Sequence, residues 1–150
     1  MSTATSSADR PYLLDLNVLI ALSWPQHVHH ARSHAWFDSL DRAWATTPFT
    51  EAGYLRLTTN PTVVGETISM DAALAALRTM RSAPGHTFLP DASSLANPAI
   101  GLDRLVTPRQ VTDAHLVNLA AASDAVLATL DRGIAQLVSV DDRRHVAVLP

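Results

Sequence analysis

Short apolar runs alternate with helix signals along the whole of this chain, and that alternation restricts the fold more than any other feature. Tyr12-Leu13-Leu14 reads as a buried first strand, since a brief apolar run bounded by polar residues suits a strand covered on both faces. Asn17 to Ser23 opens a helix that Trp24-Pro25 stops, because the residue before a proline is pushed out of the helical region. His27 to Leu40 carries Val28, Ala31, Ala35, Trp36 and Leu40 at helical spacing. Ala43-Trp44-Ala45-Thr46 is the second strand, and Thr47-Pro48 caps a helix running to about Thr59, with proline at the first helical position. Ser69 caps a helix over Met70 to Arg81, and His86-Thr87-Phe88-Leu89 is a third strand. Asn97-Pro98 signals a short helix, and Thr107-Pro108 starts a long one reaching Ser123. Ala125 to Leu130 is a fourth strand, a helical turn follows, and Val146-Ala147-Val148-Leu149 is the last strand. The expected fold class is therefore α/β, a five-stranded parallel sheet with helices on both faces.

At 150 residues with 47% hydrophobic and 17% charged content, the chain is sized for one globular domain with a real core. It is expected to comprise a tail over residues 1–10 and a folded domain over 11–150. The tail has neither the basic start nor the apolar stretch of a signal peptide. No run is long and apolar enough for a membrane span. Without cysteine there is no disulfide or thiolate chemistry, and a cytoplasmic protein is expected. A formal charge of −3 argues against nucleic-acid binding by bulk electrostatics. All of the 11 basic residues are arginine, which excludes a catalytic lysine and leaves bidentate phosphate contacts available.

Four acids fall where these elements begin or end. Asp15 and Asp131 close the first and fourth strands, while Glu51 and Asp113 lie in the first turns of the two helices opened by Thr-Pro. Ligands of an open parallel sheet bind beyond the carboxyl ends of its strands, so the four have a geometric reason to converge. Each alone reads as a helix cap or a partner of the helix dipole. Together they repel: two carboxylates about 5 Å apart oppose each other by roughly 3 kcal/mol at an effective dielectric near 20. A hard divalent cation, Mg²⁺ or Mn²⁺, relieves that repulsion with oxygen ligands only. Such a centre aligns phosphates and acidifies water, so phosphodiester hydrolysis is the chemistry expected.

At these residues the chain resembles the PIN-domain ribonucleases, and in particular the VapC-type toxins of toxin–antitoxin pairs. The resemblance spans about Tyr12 to Leu149. It rests on Leu14-Asp15-Leu16-Asn17-Val18-Leu19-Ile20-Ala21-Leu22, on Thr47-Pro48-Phe49-Thr50-Glu51 with Leu55-Arg56-Leu57, on Val111-Thr112-Asp113-Ala114-His115-Leu116, and on Ala128-Thr129-Leu130-Asp131-Arg132-Gly133. It implies that Asp15, Glu51, Asp113 and Asp131 are the catalytic, metal-holding acids. It also implies that Asn17 and Thr129 orient those carboxylates or the attacking water. A homodimer, silenced by a cognate antitoxin of the VapB type, is implied as well.

The remaining polar residues are read as follows. Arg132 and Arg109 are candidate phosphate contacts. His27, His29, His30 and His34 read as a solvated helix start rather than a transition-metal site, and His115 as a packing residue. Trp24, Trp36 and Trp44 read as core or dimer interface before base-stacking platforms. The expected activity is metal-dependent cleavage of single-stranded or loop RNA, leaving 5′-phosphate and 3′-hydroxyl ends. Two alternatives stand beside it. A haloacid-dehalogenase-like phosphatase wants a second aspartate where this chain has Asn17, and a lysine it lacks. A non-catalytic PIN-like binding module would have no use for four acids.

Overall fold

Asp15 and Asp131 end adjacent strands because the sheet changes winding direction between them. The computed structural model describes residue 6 and residues 8–150. Its strands are β1 (Tyr12–Leu14), β2 (Trp44–Thr46), β3 (His86–Phe88), β4 (Val126–Thr129) and β5 (Val146–Val148). They form one sheet among the described residues, ordered β3-β2-β1-β4-β5, with every pairing parallel. The chain walks outward from β1 to β3 and then returns to place β4 on the other side of β1. The crevice at that switch, between the carboxyl ends of β1 and β4, is where such sheets bind ligands.

Alternate side chains of the strands enter two separate cores. Leu13, Ala45 and Leu127 pack with Leu116, Val117, Leu119 and Ala120 of α6 (Gln110–Ala122) and with Ile134 and Leu137 of α7 (Ile134–Leu137). Leu14, Trp44 and Ala128 point the other way, as the two-residue period of a strand requires. They meet α1 (Leu16–Ser23), α2 (His30–Asp38), α3 (Pro48–Thr58) and α5 (Met70–Arg81) through Val18, Leu19, Trp36, Tyr54 and Leu77. Leu13, Leu14 and Leu127 are fully buried, each stabilising the fold by about 1.5–3 kcal/mol. α3 reaches α1 closely because Gly53 has no side chain: a Cβ there would stand 2.8 Å from Leu16 Cδ2. No helix of the described residues is long and apolar enough to cross a membrane.

Most expected elements form, and the departures have local causes. The second helix begins at His30 rather than His27, because His27 Nδ1 accepts the His29 N–H at 3.1 Å and closes a turn instead. Val28, 85% exposed, has no apolar surface to hold it in a helix. No helix forms at Asn97-Pro98; the Ala99 N–H is taken by the buried Asn118 side chain at 2.7 Å. At Thr107-Pro108 the chain makes a turn, and α6 starts only at Gln110, whose Oε1 accepts the N–H groups of Val106 and Thr107. A one-turn helix, α4 (Pro61–Val64), follows Asn60, with the Asn60 side chain capping Thr62 N–H. At α3 Thr47 is the N-cap residue, as expected, while the hydrogen bonds there come from Thr50, whose hydroxyl accepts the Thr47 N–H at 3.3 Å and donates to the Thr47 carbonyl.

Of the tail expected over 1–10, residues 1–5 and 7 lie outside the described residues. Its last member is part of the fold. Arg10 is 7% exposed, donates to the carbonyls of Ala125 and Arg144 and to His145 Nδ1, and pairs with Asp124 at 3.3 Å.

Candidate active site

The carboxyl edge of β1 and β4 opens into a cleft of about 640 Å³. Asp15, Asp113 and Asp131 line it, joined by Asn17, Thr112, Phe49 and Arg56 among others. Asp15 enters from the end of β1, Asp131 from the end of β4, and Asp113 from the first turn of α6. Three of the four expected acids are thus brought together.

One buried hydroxyl organises this group. Thr129 Oγ1, wholly buried, donates to Asp15 Oδ2 at 2.7 Å. It accepts from Asn17 Nδ2 at 3.2 Å and from the Asp131 N–H at 3.0 Å. Asn17 Oδ1 then takes the Leu130 N–H at 3.1 Å. The other oxygen of Asp15 accepts the Leu16 N–H at 2.7 Å, and Asp131 Oδ1 accepts the Gly133 N–H at 2.8 Å. Asn17 and Thr129 are thus hydrogen-bonded to one another, with Thr129 in contact with both Asp15 and the Asp131 backbone.

Burial and neighbouring charge act on two of the three acids. Burial pushes the Asp15 carboxyl up from its ordinary 3.8 to about 6. The Thr129 and Leu16 hydrogen bonds pull it back, while the charges of Asp113 and Asp131 raise it further. Asp113 is raised as well, first by burial and then by Asp131. No basic side chain contributes to either shift. Among the described residues no three Asp, Glu or His side chains are gathered closely enough to hold a metal ion as they stand; the three acids share the walls of one cleft. An open set of hard oxygen donors fits Mg²⁺ or Mn²⁺, which keep several waters of their own.

Glu51 lies outside this group. Its Oε1 accepts the Thr46 hydroxyl at 2.6 Å and pairs with Arg81 Nε at 3.4 Å. Thr46 in turn accepts from His86 Nε2 at 2.8 Å, and the Arg81 guanidinium rests over the Phe88 ring. Glu51 is absent from the lining of the cleft.

The two arginines proposed as phosphate contacts are elsewhere. Arg109 is exposed at the start of α6 and Arg132 is exposed after Asp131; neither lines the cleft. Arg56 does, and the sequence carried a signal for it. Ala52, Gly53, Arg56 and Leu57 recur at helical spacing, so the small residues and the arginine share one face of α3.

The histidine cluster has a structural task rather than a solvated one. His30 Nδ1 and His34 Nε2 each lie 2.8 Å from the carbonyls of Ala21 and Leu22, the unpaired acceptors at the end of α1. His115 pairs with Asp91 at 2.9 Å and packs on Phe49. Trp36 packs on Tyr12, and Trp44 is 3% exposed with its N–H on the Pro84 carbonyl; both are core. Trp24 is half-buried in the wall of the cleft.

No family model matches the chain. Individual relatives do. Ribonuclease VapC39 of Mycobacterium tuberculosis is 46% identical over 129 residues, covering 85% of this chain and 93% of that protein. The chain belongs to the VapC ribonuclease family. A second VapC of the same organism, ribonuclease VapC38, is 42% identical over 138 residues, covering 91% of this chain and 96% of the relative. The fold agrees with that of VapBC2 from Rickettsia felis, solved bound to a DNA fragment from its promoter, at a TM-score of 0.60. That alignment has 13% identity and covers 84% of this chain and 92% of the other.

Proposed function

We propose that this VapC-family chain is an endoribonuclease toxin that hydrolyses RNA phosphodiester bonds in the acidic cleft between β1 and β4, with Mg²⁺ or Mn²⁺ as cofactor. The observation that carries the cation is the convergence of Asp15, Asp113 and Asp131 on one cleft where burial and mutual repulsion raise two of the three. When bound, a divalent cation supplies charge neutralisation at the scissile phosphate and a more acidic attacking water. Asp15, Asp113 and Asp131 would hold it. Thr129 fixes Asp15 by a direct hydrogen bond, and Asn17 fixes Thr129. Glu51 would complete the four expected acids only by leaving Arg81 and Thr46, its partners in this structure.

Arg56, which lines the cleft from α3, is the cation placed to meet a non-bridging phosphate oxygen. Unpaired RNA suits the cleft, because splayed nucleotides bring one phosphate to a recessed site that a rigid duplex keeps out. A phosphatase of the haloacid-dehalogenase type fits less well, since Asn17 uses both ends of its amide to hold Thr129 and Leu130. A cytoplasmic homodimer silenced by a VapB-type antitoxin is the proposed setting.

Purified chain incubated with single-stranded RNA should cut it in Mg²⁺ or Mn²⁺, stop in EDTA, and resume when the cation is returned. Cleavage indifferent to chelation would overturn the cation assignment, and absence of cleavage under all conditions would overturn the activity.

A further inference from the structure

The ionised acids of the cleft can only accept hydrogen bonds, so the phosphates of a bound strand must find their donors elsewhere on its walls. Arg56 is one such donor. His27 is another: it lines the acidic cleft and also an adjoining cavity of about 520 Å³, the two sharing Trp24, His27 and Val63 as walls. A strand leaving the acids by that route passes His27.

The fold settles both the position and the protonation of this ring. Backbone bonds hold the residue on either side, its N–H donating to the Trp24 carbonyl at 3.0 Å and its carbonyl accepting from the His30 N–H at 2.9 Å. Its Nδ1 accepts the His29 N–H at 3.1 Å. A backbone amide can only donate, so Nδ1 carries the lone pair and the neutral ring keeps its proton on Nε2. The charged form would set a second hydrogen against that amide. Burial first, and then the neighbouring His29 and His30, also hold the ring below its ordinary 6.5. Neutral imidazole with its hydrogen on Nε2 is therefore the form present at neutral pH.

Nε2 itself has no hydrogen-bond partner among the described residues. Unlike the indole nitrogen of Trp24, it is not among the unpaired polar atoms closed off from solvent, and His27 as a whole is partly exposed. With Nδ1 turned to the backbone, the Nε2 edge is the one left to the cleft. The charges that act on the ring are those of His29 and His30 and not the three acids, which sets it along the strand from the scissile phosphate rather than beside it.

We propose that His27 Nε2–H donates to an oxygen of a backbone phosphate flanking the scissile one, gripping the RNA where it leaves the acidic cleft. The proposal rests on the ribonuclease reading and adds a binding residue to it. An anionic acceptor strengthens such a bond, and a neutral donor meets it without competing with the cation for the acids.

The test uses the full chain carrying Asp15→Asn, which keeps the strand whole, and short single-stranded homopolymers of A, C, G and U, with binding read by fluorescence anisotropy. His27→Asn keeps an acceptor for the His29 N–H but removes the distal donor, whereas His27→Gln restores a donor at the distal position. His27→Asn should weaken the tightest homopolymer roughly tenfold or more, the loss of one hydrogen bond to a charged group, and His27→Gln should recover most of it. Replacing each phosphate in turn by an uncharged methylphosphonate should reveal one position, beside the bond to be cut, that weakens binding to the parent chain and weakens His27→Asn no further. Long-range proton–nitrogen correlation, with His27→Asn assigning the signal among the 7 histidines, should find the Nε2–H tautomer in the free chain and a shift of that nitrogen on RNA binding. A ring protonated at Nδ1, an Nε2 unmoved by bound RNA, or losses that follow base identity rather than phosphate charge would overturn the proposal. Cleavage by the wild-type chain without any His27 response sinks it and spares the ribonuclease reading. A His27 response in a chain that never cleaves does the reverse, and a chain that binds none of the four homopolymers overturns both.

Discussion

Removing the charge of Asp15 should stabilise the metal-free protein at neutral pH, and the size of the effect follows from its surroundings. The carboxyl is 6% exposed and pushed from 3.8 to about 6. The folded chain thus holds this proton more tightly than the unfolded chain does. Its contribution to stability is complete below about pH 4 and is lost as pH rises through about 6. At about 1.4 kcal/mol per pH unit, the full loss is about 3 kcal/mol. For a chain of this length that corresponds to roughly 6–12 °C in Tm. The assay is thermal unfolding in EDTA at several pH values between 4 and 7.5, comparing the wild-type chain with Asp15→Asn. The amide keeps the shape and never ionises, so the difference between the two curves isolates this group. Wild type should lose stability relative to the variant across that window, and added Mg²⁺ at pH 7.5 should restore wild type but not Asp15→Asn. Parallel curves would refute the claim that Asp15 is a strained charge awaiting a cation.

Other outcomes follow from contacts further out. Thr129→Val removes the donor to Asp15 and the acceptor of the Asp131 N–H; it should weaken Mn²⁺ binding by about 10- to 100-fold, as loss of a group that orients a ligand does, measured by calorimetry. Arg56→Ala should raise KM for RNA with little change in kcat and flatten the salt dependence of binding, whereas Arg132→Ala and Arg109→Ala, outside the cleft, should do less. Arg10→Ala strips the bonds that tie the N-terminal segment to Ala125, Arg144 and His145; at about 1 kcal/mol per bond it should cost about 2–4 kcal/mol, read by urea unfolding.

What could be read from the sequence was governed by the range of the forces involved. Asp15 and Asp131 were legible because each ends an apolar strand, and adjacent parallel strands leave their ends at one edge. Asp113 was legible as an acid in the first turn of a helix at that edge. The same reasoning placed Glu51 at the edge but could not orient it. Its side chain answers to Thr46 and Arg81, and Arg81 arrives from the far end of another helix. Arg132 was singled out for its nearness in sequence to an acid, whereas the arginine that lines the cleft is Arg56, which shares a helix face with Ala52 and Gly53. The helix signals at His27 and Asn97-Pro98 failed for a related reason. A histidine ring and the Asn118 amide compete there for the backbone N–H groups, and only the fold decides that they win. The tautomer of His27 has no sequence signature at all, being set by the backbone N–H that reaches its ring.

The chemistry of the cut ends tests the central claim most directly. Purified chain acting on a single-stranded RNA in Mg²⁺ should leave 5′-phosphate and 3′-hydroxyl termini, and Asp15→Ala, folded as judged by its circular dichroism, should leave the RNA intact. Termini bearing 2′,3′-cyclic phosphate and 5′-hydroxyl, or the same products from Asp15→Ala, would contradict hydrolysis in this cleft.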